Sequence, residues 1–282
     1  MTWHYAWGLM LIVLAAVAAA AAEPSQAYRD QWKDPALVRT IDENIEAHRK
    51  ADAAVTVTAA GGRPVAGARV RVVQTSHEFL FGANAFIVGG FDTAEKNAAY
   101  EAAFARLLNF ATVPFYWSDL EPREGHVRFT KDAEPIYRRP PPDLVVEFGR
   151  RHGLTLKGHP LIWHSWYPTW LPKDEAKVAE LASKRFAQIA ERYAGSIRVW
   201  DVVNEALAFK GGRVMPMGKD YLAWSFGEAA RRFRPDNHLM INETTGGAHG
   251  GQGKNAPYYR QIQGLLDACV TVRIEKGVPD ER

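Results

Sequence analysis

An α/β fold assembled from repeated βα units is what this 282-residue sequence predicts, and three observations carry the prediction. Short apolar segments rich in β-branched and aromatic residues recur, each followed by a stretch with helical periodicity. Several of these segments are almost continuously apolar, as strands covered on both faces are. One of them, Val199-Trp-Asp-Val-Val-Asn-Glu205, stops abruptly at an amide beside a carboxylate. In a β/α barrel that is the position, at the C-terminal tip of a strand, from which an active site is built. A helix-capping role for Asn204 and Glu205 is the competing reading of the same pair.

Composition sets the outer bounds. A hydrophobic fraction of 47% with 24% charged residues is ordinary globular material with enough apolar content for a sizeable core. The 35 basic and 32 acidic residues nearly cancel and form no long single-sign run, which argues against a nucleic-acid partner. The single cysteine, Cys269, excludes an intramolecular disulfide and a thiolate-cluster zinc site. Nine Trp, ten Tyr and thirteen Phe suit stacking on sugar faces and suit a large core equally well.

Along the chain, residues 9–22 form an apolar run that is short for a membrane span and closes on consecutive alanines. We read residues 1–22 as a signal peptide, which makes the expected location secreted or periplasmic, with no stable membrane association after cleavage. The leading residues carry no Lys or Arg, so an uncleaved anchor is the alternative; either exports the remainder. Residues 23–78 are expected to form an N-terminal extension. It comprises an amphipathic helix over 34–51, capped by Asp34 before Pro35, and a small antiparallel β unit. In that unit Val55-Thr-Val-Thr58 and Val70-Arg-Val-Val73 flank the turn formers Gly61-Gly62-Arg63-Pro64.

From residue 79 onward the expected strands are 79–82, 111–117, 154–163, 197–204 and 238–241. The expected helices are 93–108, 143–152, 177–193, 220–233 and 257–276. Repeated βα units imply a parallel sheet. The fold class is therefore a (β/α)8 TIM-barrel type with about five βα units over 79–282, where a closed barrel needs eight. A five-stranded remnant would leave edge strands and apolar side chains exposed, so poor independent stability is expected. The charge- and proline-rich segment 118–142 is a long loop after the second strand, either functional or a plain insertion.

Chemistry collects at the strand exits. The third leads into Gly158-His-Pro-Leu-Ile-Trp-His-Ser-Trp-Tyr-Pro-Thr-Trp170, where Trp163, Trp166 and Trp170 cannot all turn inward and some must wall a solvent-facing or ligand-facing surface. His159 and His164 suit hydrogen bonding to a polar substrate better than metal ligation, because no further His or Cys stands at useful spacing; neither metal nor cofactor is expected. The second exit offers Tyr116, Trp117, Asp119 and Glu121, and the fifth offers Asn242 and Glu243. Each carboxylate alone reads as a cap or a solvated loop residue, but together these residues describe one polar, aromatic-lined rim. Retaining glycoside hydrolysis needs one protonated and one ionised carboxyl group; Glu205 suits the first, and no second stands out.

The segments GHPLIWHSWYPTW and VWDVVNEAL resemble the third- and fourth-strand motifs of glycoside hydrolase family 10, the endo-β-1,4-xylanases. Phe79-Leu-Phe-Gly-Ala-Asn84, Glu121-Pro-Arg-Glu-Gly125 and His238-Leu-Met-Ile-Asn242 extend the likeness over residues 79–280. The resemblance implies a polysaccharide substrate, xylan or a related β-1,4-glycan. It implies Glu205 as general acid/base, Asn204 as the amide on the sugar 2-hydroxyl, and His159 and Trp163 as contacts to the same sugar. For Asn204 and its neighbour Glu205 both to serve, the strand must end or bulge there. Two departures stand out. Phe115-Tyr-Trp-Ser-Asp119 replaces the polar Glu, Asn and Lys pattern with which the family binds the non-reducing side. The family's nucleophile, a Glu in a Thr-Glu-Leu-Asp-like motif, has no counterpart, and Glu243 sits at a position the family does not use. These departures imply a chain inactive by itself. A non-catalytic carbohydrate binder and a fragment completed by another chain stand as alternatives.

Overall fold

The computed structural model describes residues 24–244 and 253–268. The expected signal peptide at 1–22, Cys269 and the end of the last expected helix lie outside the described residues. The chain divides into two compact units between Val73 and Gln74.

In the first unit, helix α1 (Gln26–Gln31) precedes helix α2 (Pro35–Arg49). Asp34 Oδ1 accepts from the N–H groups of Ala36 and Leu37 at 2.9 and 3.4 Å, the expected cap ahead of a proline with no N–H to satisfy. The β unit is smaller than the sequence predicts. It shrinks to a single antiparallel bridge between Thr58 and Pro64 around the positive-φ pair Gly61 and Gly62, while residues 70–73 form no strand. Pro64 cannot donate to a ladder, and a two-stranded ribbon buries too little apolar surface to extend itself. Val70, Val72 and Val73 are accordingly exposed.

The second unit holds five parallel strands in the order of the sequence: β1 (Gly82–Asn84), β2 (Phe110–Pro114), β3 (Thr155–His159), β4 (Val199–Asn204) and β5 (His238–Asn242). Helices α3 (Ala94–Leu107), α5 (Pro142–Arg151), α6 (Glu175–Tyr193) and α7 (Tyr221–Arg232) connect them, a short α4 (Trp117–Leu120) follows β2, and α8 (Pro257–Asp267) comes after β5. This is the incomplete β/α barrel that the sequence predicts. Among the described residues no helix is long and apolar enough to cross a membrane.

Of the strand boundaries that differ from those expected, two move for clear local reasons. The first strand starts at Gly82 rather than residue 79, because the Asn109 side chain takes over the ladder before it: its Oδ1 accepts from Phe81 N–H at 2.8 Å and its Nδ2 donates to Phe79 O at 3.0 Å. Phe79, Leu80 and Phe81 stay half-exposed. The third strand breaks at Pro160, which has no N–H to give. The chain beyond it still follows β4, through Leu161 N–H to Asp201 O at 2.9 Å and Ile162 N–H to Val202 O at 3.0 Å.

Packing fixes the sheet on its helical side. Ala111, Val113, Phe115, Leu156, Trp200 and Val202 are buried together with Phe148, Phe186, Ile189 and Phe233. Gly158 is required where it is: a Cβ there would lie 2.2 Å from Cζ3 of Trp200, the residue opposite it in β4. Buried Arg185 on α6 donates to Leu161 O at 3.2 Å and to Phe115 O, with its guanidinium over the Trp117 ring. One helix side chain thereby pins the exits of both β2 and β3. Burial pushes that guanidinium down to about 9, which leaves it cationic at neutral pH.

A second buried charge, Glu228 on α7, joins α6. Burial works to raise its pKa, but Ser183 Oγ at 2.6 Å, Arg232 Nε at 2.8 Å and Arg231 hold the carboxyl down to about 2. The folded value lies below the ordinary 4.5, so this carboxylate stabilises the fold fully above pH 4.5, and the contribution fades as pH falls towards 2. Glu228→Gln is therefore expected to lower unfolding free energy by about 1–3 kcal/mol at pH 7, discounted for its two exposed arginines. The difference from wild type should shrink as urea unfolding is repeated from pH 5 downward; a pH-independent difference would refute this account.

Candidate active site

The C-terminal ends of the strands surround an open cleft of about 310 Å³ lined by Asn84, Thr112, Tyr116, Lys157, His159, Trp163, Asn204, Glu205 and Asn242. Every strand, or the residues just beyond it, supplies part of this surface, as the C-terminal face of a β/α barrel does.

The floor of the cleft is organised by a buried anion. Asp201, 0% exposed in the middle of β4, accepts at one oxygen, Oδ2, from both Lys157 Nζ at 2.8 Å and His159 Nδ1 at 2.7 Å. A carboxylate can only accept, so Nδ1 of His159 carries a proton and Nε2 is the atom left for the cleft. Lys157 and His159 stand two residues apart on β3 and so share one face of the sheet. The other Asp201 oxygen, Oδ1, has no hydrogen-bond partner among the described residues.

Asp201 and Asn204 are three residues apart, a spacing that puts side chains of a regular strand on opposite faces. The register of β4 on β5 shifts between Asp201 and Val203, and this bulge changes the phase. Asn204 then meets Asn242 directly, with Asn242 Nδ2 donating to Asn204 Oδ1 at 2.7 Å. Glu205 follows in the left-handed region, φ 54° and ψ 43°, anchored by its N–H on Asn242 O at 2.7 Å. A non-glycine residue there costs on the order of 1–3 kcal/mol and persists only where its surroundings enforce it. The consequence is that adjacent residues Asn204 and Glu205 both line the cleft, as the sequence reading requires. Trp163 Nε1 donates to Glu205 Oε2 at 3.1 Å and fixes the carboxylate.

The aromatic wall expected from the third exit is present. Trp166 stacks on Trp163 at 4.7 Å with an interplanar angle of 15° and remains 37% exposed. Trp170 turns inward, packing on Trp117 and donating to Glu121 O. Tyr116 sits at the cleft between His159 and Trp163. Trp117 does not: expected at the rim, it is 2% exposed and packs with Tyr167 and Trp170, because it opens α4 and faces the core. His164 lies behind Trp163 against the Phe209 ring. Burial pushes its pKa down, against the opposing pull of the Glu205 and Glu243 carboxylates, so the ring is neutral at pH 7.

The other carboxylates of this face are engaged in holding structure. Glu121 accepts from Trp117 Nε1 at 3.0 Å and Gly125 N–H at 2.8 Å, Asp119 pairs with Arg139 Nε at 2.8 Å, and Glu243 accepts from Leu207 N–H and from Gln261 Nε2. Among the described residues no group of three or more His, Cys, Asp or Glu is arranged to hold a metal.

Sequence reasoning missed Lys157, Thr112, Asn84 and Asp201. A signal was available for two of them: Lys157 and Asp201 are opposite charges embedded in apolar strands, and buried charges must pair.

The sequence matches glycosyl hydrolase family 10 over residues 82–273. It is 32% identical over 108 residues to an endo-1,4-beta-xylanase 2 of Claviceps purpurea, covering 36% of this chain and 33% of that protein. It is 28% identical over 172 residues to an endo-1,4-beta-xylanase 3 of Hypocrea jecorina, covering 58% and 43%. The chain thus spans less than half the length of these curated relatives. Among solved structures, native xylanase 10B from Thermotoga maritima aligns with a TM-score of 0.53 at 24% identity, covering 68% of this chain and 57% of that one. Xylanase 10B from Thermotoga petrophila in complex with xylobiose aligns with a TM-score of 0.53 at 22% identity over the same shares. At that identity the two structures establish the fold.

Replacing Asp201 tests the floor of the cleft. Asp201→Leu leaves the Lys157 ammonium without its partner and is expected to cost on the order of 3 kcal/mol. Adding Lys157→Met should recover part of that loss in a double-mutant cycle of chemical unfolding. Additive losses would show that the two side chains are not coupled.

Proposed function

Because the chain belongs to glycosyl hydrolase family 10, we propose that it acts on β-1,4-xylan or a related β-1,4-glycan by retaining double displacement, with Glu205 as general acid/base and the nucleophile supplied from outside the described residues, without which the chain is inactive. The observation that carries this reading is the mounting of Glu205: a carboxylate held in a left-handed turn at the tip of β4, hydrogen-bonded by Trp163 Nε1, in a cleft that all five strands line. An acid in that place donates its proton to the leaving glycosidic oxygen, then takes one from the water that releases the sugar. Asn204, buried and oriented by Asn242, is the amide we assign to the sugar hydroxyl beside the scissile bond. His159 presents Nε2 and Lys157 its ammonium to the same ring. Trp163 and Trp166 offer an apolar face for stacking.

The covalent step needs a second carboxylate about 5–5.5 Å from the first. We assign that role to none of the described acids, since Asp119, Glu121 and Glu243 each serve a structural partner. A polymer substrate also agrees with export to the periplasm or the medium, the location expected from residues 1–22. The stacked, partly exposed Trp163–Trp166 pair favours one second reading, carbohydrate binding without turnover.

Reducing-sugar release from β-1,4-xylan by the full protein and by Glu205→Gln separates the two. General acid/base catalysis is worth about 10²–10⁴ in rate, so Glu205→Gln should lose that much on xylan. The loss should be smaller on an aryl xyloside whose leaving group departs without a proton. Equal turnover by both proteins would remove Glu205 from the mechanism. Tight xylan binding with no turnover by either would favour the binder.

A further inference from the structure

Second-strand residues close one side of the cleft. Tyr116, just past β2, is only 8% exposed because rings and a cation surround it: Phe86 beyond β1 at 5.7 Å, Trp163 at 5.6 Å, Trp166 at 5.5 Å, and the Arg139 guanidinium at 3.9 Å from the ring centroid. Tyr116 lines the cleft with Arg139 against its ring, and the neighbouring Trp163 holds Glu205 through Nε1.

This barrier is built rather than draped. Arg139 is fixed by Nε on Asp119 Oδ2 at 2.8 Å and by a further bond to Arg138 O at 2.8 Å, while Arg138 itself holds a left-handed φ of 59°. The loop carrying both is wound around Arg128, which is 2% exposed and donates to the carbonyls of Asp119 at 2.8 Å, Glu134 at 2.9 Å and Arg139 at 3.2 Å. A buried guanidinium bonded to one carbonyl of α4 and two of the loop after it ties that loop to the exit of β2. The long segment after β2 is therefore the scaffold that presses Arg139 on Tyr116, where the cation is attracted to the face of a partly desolvated ring.

We infer that the Tyr116–Arg139 wall makes this a chain-end-directed glycosidase: it holds one sugar ring between Glu205 and the wall, and so removes units from the end of a β-1,4-glycan rather than cutting within it. The inference rests on the hydrolase reading above and adds to it the residues that decide where along the polymer the cut falls.

The test uses the full protein, Arg139→Ala and Tyr116→Ala/Arg139→Ala, with xylotriose to xylopentaose isotopically labelled at the reducing end and products read by mass spectrometry. Wild type is expected to release a single unlabelled xylose from each substrate whatever its length. The double variant should shift cleavage to internal bonds by about tenfold or more, and Arg139→Ala, a loop change that spares the core, should shift it part of the way. Internal cleavage by wild type in the same proportion as the double variant overturns the inference. If none of the proteins cuts, binding decides. Each is combined with Glu205→Gln and titrated with xylotetraose, free or methylated on its terminal non-reducing hydroxyl. A loss of about tenfold on methylation, relieved in the double variant, supports the wall, and equal affinities overturn it. Absence of any affinity for either tetraose overturns the proposed substrate class, and the wall inference with it.

Discussion

A single buried carboxylate organises the face on which this protein's chemistry depends. Asp201 lies at 0% exposure in a strand otherwise made of Val, Trp and a terminal Asn, where taking an ion out of water costs several kcal/mol. Lys157 and His159 offset that cost by sharing its Oδ2 at 2.8 and 2.7 Å. Because the desolvated anion fixes both donors, β3 and β4 are joined by a polar contact as well as by their ladder, and the His159 ring is held with Nδ1 towards Asp201. The cleft floor then consists of groups whose orientations are set before any ligand arrives.

The second requirement is a change of phase in β4. A regular strand would deliver Asp201 and Asn204 to opposite faces, but the bulge beside Val202 and the left-handed turn at Glu205 place Asp201, Asn204 and Glu205 on one side within five residues. Strain of that kind is tolerated where the surroundings over-determine it. Here Ile162 O receives Asn204 N–H, Asn242 O receives Glu205 N–H, and Trp163 holds the carboxylate itself. All of these partners come from neighbouring strands or their exits, which ties the acid's position to the integrity of the sheet.

Much of this was legible in the chain because strong local patterns agreed with the tertiary structure. The five parallel strands and the Asp34 cap followed from periodicity and capping chemistry, and the need for β4 to end or bulge at Asn204 followed from the roles that the family resemblance implies for Asn204 and Glu205. Where the reading failed, a longer-range contact decided the outcome. Asn109 captured the backbone of residues 79–81 and displaced the first strand, Pro64 limited the hairpin to one bridge, and α4 turned Trp117 into the core. The assembly of Arg128, Arg139 and Tyr116 was invisible for the same reason: its members lie 11 and 23 residues apart, and no local pattern joins a loop arginine to a strand-exit phenol. Lys157 and Asp201 were different, since their burial in apolar strands announced a pair that went unread.

The most direct measurement of this account is nitrogen-15 NMR of the His159 imidazole in the full protein at neutral pH, with Asp201→Asn for assignment. If Asp201 organises the cleft, Nδ1 of His159 carries a slowly exchanging, strongly downfield proton that disappears in the variant. A His159 ring with unprotonated Nδ1, or one indifferent to Asp201, would contradict the hub on which the rest of the site is argued to depend.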